Sequence, residues 1–119
     1  MSRAGGLPRL LSMRGILAWI LGLSLAANGL IMLAVPAAWY AAVPGVPATG
    51  PFNAHFVRDI GVAYLVTGVA LTFFARDRAA RPAALAGTAF LALHALVHLW
   101  DAAAGREAAP LFALCRRGS

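Results

Sequence analysis

Lysine is absent from this chain, cysteine occurs once, and acidic residues occur four times in 119 positions. The lone Cys115 excludes an intrachain disulfide and any Cys-x-x-Cys redox or metal motif. Charged residues make up 12% of the chain, about half the ~25% usual in globular domains, while 61% is hydrophobic. That balance excludes an ordinary water-facing surface. Charge is also missing in blocks. None falls between Gly15 and Val57, and only His94 and His98 interrupt the stretch from Pro82 to Trp100. The basic residues are not interleaved with aromatic ones, which argues against a single-strand nucleic-acid groove. The net charge of +6 therefore needs another explanation.

Topology supplies it. About 20 mostly apolar residues cross ~30 Å of hydrocarbon as a helix. Three segments qualify, at about 15–35, 52–75 and 82–104. The first is longer than the ~7–15-residue core of a secretory signal, so an uncleaved span is expected. Between the first two spans, Pro36, Pro44, Pro47 and Pro51 predict a loop, because proline removes backbone donors. Trp39 and Tyr40 suit an interfacial aromatic belt there, as Trp19 and Trp100 do elsewhere. Asn53 is placed to cap the second helix, Pro82 to open the third, and Gly105 to close it. The tail beyond Gly105 carries too short an apolar run to cross. It either lies in the interface or forms a short, partial fourth helix. Arg3, Arg9, Arg14, Arg76, Arg78 and Arg81 flank one side, and Arg106, Arg116 and Arg117 the other. The positive-inside rule then places the N-terminus in the cytoplasm.

Small residues recur every seven positions: Gly15, Gly22 and Gly29; then Ala54, Gly61, Gly68 and Ala75; then Gly87, in register with His94 and Asp101. Such spacing keeps one seam facing a neighbouring helix, and small residues let membrane helices approach closely. The fold class is therefore an all-α integral membrane bundle of three transmembrane helices in a single domain. Its small cross-section predicts a homo-oligomer or a partner membrane subunit, with lipid and not nucleic acid around it.

Two polar clusters interrupt the apolar spans: His55-Phe56-Val57-Arg58-Asp59 and His94-Ala95-Leu96-Val97-His98-Leu99-Trp100-Asp101. Ionisable groups in a membrane helix cost roughly 2.5–3.5 kcal/mol at its centre, which makes them functional candidates. The spans place both clusters, and Asn28, at a similar depth below the outer surface. His94, His98 and Asp101 follow i, i+4, i+7 spacing, as do His55, Asp59 and Val62, so each set shares a helix face. The expectation is one buried cluster facing the bundle near the outer side.

The chemistry of that cluster has several readings. Imidazole and carboxylate suit zinc, copper, iron or nickel. His55, Asp59, His94 and His98 are the candidate metal ligands, and a transition metal is the corresponding cofactor. No glutamate follows His94, so this is not a metalloprotease helix. Alternatively, Arg58 and Asp101 pair across helices, with Asn28 part of a structural polar network that sets helix register. A proton or ion relay and a bis-histidine haem site are further options. The expectation leans towards a non-enzymatic membrane component, with the cluster holding helices together or binding an ion.

The segments NAHFVRDIGVAYL (Asn53–Leu65) and HALVHLWD (His94–Asp101) resemble those of small uncharacterised bacterial multi-pass inner-membrane proteins. The resemblance spans about Phe52–Asp101. It implies residence in the bacterial inner membrane and a four-helix relative, from which this chain departs by its short tail. It implies no activity.

Overall fold

The computed structural model describes residues 12–105, and these are helical almost throughout. Helix α1 spans Met13–Ala34, a short α2 spans Pro36–Ala42, α3 spans Ala54–Arg76 and α4 spans Arg81–Ala103. Single 3-10 turns, Val46–Thr49 and Arg78–Ala80, occupy the connections. Helices α1 and α3, and α4 together with the turn before it, are each long and apolar enough to cross a membrane. The tail beyond Gly105, with Cys115 and the anticipated partial fourth helix, lies outside the described residues.

The helix ends follow from local chemistry. The Asn53 side chain accepts hydrogen bonds from the backbone N–H groups of His55 and Phe56, at 3.0 and 3.2 Å, satisfying two otherwise orphaned donors. Ser12 caps α1 by accepting from the Gly15 N–H at 3.1 Å. Pro82 sits in the first turn of α4, where its missing N–H costs nothing. At the other end, Gly105 takes the left-handed conformation (φ 69°) and its N–H reaches the Ala102 carbonyl.

The segment expected to be a plain loop is more ordered than that. Pro36 starts α2 instead of ending structure, because a proline at the first helical position is preorganised for a new helix. The Tyr40 hydroxyl then donates to the Gly50 carbonyl, with the Pro47 carbonyl 3.3 Å away, and its ring packs against Phe52 with centroids 5.3 Å apart. These contacts fold the connection back on itself.

Helices α1 and α3 form the most intimate contact, and small residues create it. A Cβ built on Gly22 would lie 2.8 Å from the Gly68 carbonyl oxygen, and one on Gly29 would lie 2.5 Å from that of Gly61. Backbone meets backbone at both levels, one heptad apart, with the helices antiparallel. Gly15, Gly22, Gly29, Gly61, Gly68 and Ala75 are all buried, so the predicted seam is the actual one. Helix α4 packs more sparingly. Gly87 sits on Thr67, itself 2% exposed, and Ala84 is the single buried residue of α4.

The pattern is inverted relative to a water-soluble fold. The buried hydrophobic residues are Ala18, Met32, Val57, Ala70, Ala75 and Ala84, mostly small, whereas Leu, Ile, Val and Phe side chains stand exposed along every long helix. In water such a surface would drive aggregation. Against acyl chains it costs nothing, and packing of small residues is what remains to hold helices together.

Candidate functional site

Helix α3 divides its circumference into three stripes. Positions 57, 61, 68 and 75 are buried in the direction of α1. Positions 60, 64, 67, 71 and 74 are buried or half-buried, with Thr67 against Gly87 of α4. Positions 55, 59, 62, 66, 69 and 73 are all exposed. His55 and Asp59 belong to this outward stripe. They pair with each other across one helical turn, His55 Nε2 to Asp59 Oδ2 at 3.3 Å, with side chains 87% and 61% exposed.

Helix α4 shows a different stripe. Ala84 is buried, and positions 87, 91, 94 and 101 are half-buried, which is the alternating three-and-four spacing of a seam. His94 is thus on the face turned to α3, and His98, one turn on, is exposed. The two imidazoles meet: His94 Nε2 and His98 Nε2 are 3.2 Å apart, with rings edge-to-face at 4.7 Å between centroids. Phe90 stacks parallel to His94 from the turn before, at 6.3 Å. The site therefore consists of a histidine pair held on its own helix and flanked by an aromatic ring.

This arrangement corrects the expectation of one buried cluster. Among the described residues, no three or more of His, Cys, Asp and Glu converge on a point that would hold a metal ion. The four candidate ligands form two separate pairs, His55–Asp59 and His94–His98. The reason is rotational. Continuing the Gly87–Thr67 contact by one heptad on each antiparallel helix brings His94 level with Ile60. Asp59 precedes Ile60 by one residue, about 100° around the helix. Equal depth did not mean equal direction.

The expected structural network also rearranges. Arg58 directs its Nε at the Leu33 carbonyl, 3.4 Å away at the end of α1, and not at Asp101. The Asn28 Oδ1 accepts from the Trp39 indole N–H at 2.9 Å, while its amide contacts the Met32 sulfur at 3.5 Å. Asn28 thus fastens α2 to α1, instead of bridging two long helices. The eleven-residue separation of Asn28 and Trp39 is three helical turns, about 16 Å along an unbroken helix, so only the fold-back of α2 brings the pair together. Arg76 lies over the Trp19 ring, 4.9 Å from its centroid, a cation–π contact across the α1–α3 interface that the sequence reading missed.

No protein-family model, curated protein or solved structure matches this chain.

Proposed function

We propose that this chain is a multi-pass protein of the bacterial inner membrane that acts as a structural or ion-binding component and not as an enzyme. The N-terminus faces the cytoplasm, following the excess of arginine on that side. The α1–α3 pair is its rigid part, and α4 carries the ligand-bearing part. The carrying observation is the 3.2 Å approach of His94 Nε2 to His98 Nε2 on a helix with little packing of its own. Two nitrogens bound to one tetrahedral ion at about 2.0–2.1 Å stand about 3.3 Å apart, so the pair already has the bite of a chelate. Without an ion, the same spacing suits a hydrogen bond from one imidazole to the other. Either state keeps both rings in place.

Two imidazoles leave coordination positions open. A second copy of the chain or a partner membrane helix would complete them, in keeping with the small cross-section of the bundle. Zinc, copper and nickel are the ions suited to such donors. The test is elemental analysis of full-length protein purified in mild detergent, beside a His94→Ala/His98→Ala variant of matched helix content. Bound metal in the wild type and its loss in the variant support ion binding. Metal-free wild type after reconstitution, with a lower melting temperature in the variant, supports the purely structural role. Because protonated imidazole has no free lone pair, metal retention falls as the buffer is acidified.

A further inference from the structure

The end of the molecule away from the histidines holds a groove of about 680 Å³. Arg14 of α1, Arg78 of the 3-10 turn and Arg81 of α4 line it together with Leu17, Leu21 and Phe74. Three separate elements thus bring three arginines to the wall of one largely apolar trough. None of the three arginines makes an ion pair or side-chain hydrogen bond among the described residues. Among the described residues no carboxylate lines the groove, and the neighbouring Asp77 directs its Oδ1 to the Ala79 N–H at 2.9 Å. Arg76, by contrast, is already engaged over Trp19.

We infer that this groove binds an anionic phospholipid of the adjoining leaflet, with its phosphate among Arg14, Arg78 and Arg81 and an acyl chain along Leu17, Leu21 and Phe74. Charge and shape argue for this occupant. Arginine forms paired hydrogen bonds with phosphate oxygens. Basic pockets between membrane helices suit acidic headgroups. From Arg14 to Leu21 the helix rises about 10 Å, which carries the trough from headgroup level into the hydrocarbon. The chain's own first eleven residues contain Arg3 and Arg9 and no acid, so they would add repulsion. A second copy would bring its own arginines to the same place. Free phosphate would leave the apolar floor uncovered. The inference rests on the membrane-embedded reading and is independent of the histidine pair.

Native mass spectrometry of the full-length protein in neutral detergent tests it, with phosphatidylglycerol, phosphatidylcholine and inorganic phosphate as probes. Phosphatidylglycerol is expected to bind at least tenfold more tightly than phosphatidylcholine. The Arg78→Gln/Arg81→Gln variant should weaken phosphatidylglycerol binding by about 25-fold, about fivefold per arginine. The Arg116→Gln/Arg117→Gln variant, which loses the same formal charge at residues outside the described lining of the groove, should bind as wild type does. Helix content by circular dichroism shows that each variant is folded. Equal affinity for the two lipids, displacement of phosphatidylglycerol by inorganic phosphate, or equal losses in both arginine variants overturns the proposal. Recovery of the protein in the soluble fraction without detergent would instead overturn the membrane reading on which it stands.

Discussion

His55 and Asp59 carry a full complement of chemistry yet stand on the outward stripe of α3, where solvent or headgroups screen them. An exposed pair one turn apart contributes little to stability. Substituting His55 with alanine should leave the melting temperature in detergent unchanged, as a thermal scan would show. Asn28 and Trp39 behave otherwise, because their hydrogen bond is partly buried and joins two elements. Loss of either partner should destabilise by about 0.5–1.5 kcal/mol. In a double-mutant cycle, Asn28→Ala combined with Trp39→Phe should cost little more than one substitution alone, because the two act through a single bond. Additive losses would mean that each residue acts through something else.

Among the elements, the α1–α3 seam is where backbone approach is tightest. A methyl group on Gly29 would meet the Gly61 oxygen at 2.5 Å and the Leu65 nitrogen at 2.6 Å, neither of which can swing aside. Gly29→Ala should therefore push the helices apart and cost about 1–3 kcal/mol, the range for overpacked cores. A methyl group on Gly87 would first meet the Thr67 hydroxyl, at 2.6 Å, which belongs to a rotatable side chain. Gly87→Ala should cost less. Unfolding of both variants in mixed micelles would rank them, and a reversed order would show that α4, not α1, holds α3. The same contrast explains why α4 can host a site: little of its surface is committed to the fold.

For the molecule as a whole, the two ends are chemically distinct. One end carries Arg14, Arg76, Arg78 and Arg81, and the other carries the two histidine-bearing stretches and the folded-back connection. The proposed topology of three crossings puts the two chain termini on opposite sides of the membrane. A periplasm-dependent reporter fused after Ser119 should be active, and one inserted in the Arg78–Ala80 turn should be silent. The opposite pair of results would invert the orientation. Activity at neither position would point to an even number of crossings, with the tail completing a fourth. If the histidine pair is completed by a second copy, a cysteine placed at Leu99 should form a crosslinked dimer in membranes, with less dimer after His94→Ala/His98→Ala.

The three long apolar helices, their caps at Asn53, Pro82 and Gly105, and the glycine seam were all determined by the sequence itself. Each depends on a one-dimensional quantity: apolar length, a residue's backbone preference, or a seven-residue repeat. Position along a helix is another such quantity, and the Gly87–Thr67 contact sets His94 level with Ile60, next to Asp59. Direction is not. Whether Asp59 or Ile60 faces His94 depends on how α3 is rotated once Gly61 and Gly68 have locked onto α1, and one residue changes that direction by about 100°. Tertiary structure alone decided that His94 meets His98 but not Asp59, that Trp39 returns to Asn28, and that three distant arginines share one groove. Helix rotation and chain reversal are set by packing between elements, a three-dimensional relation that spacing along the chain does not encode.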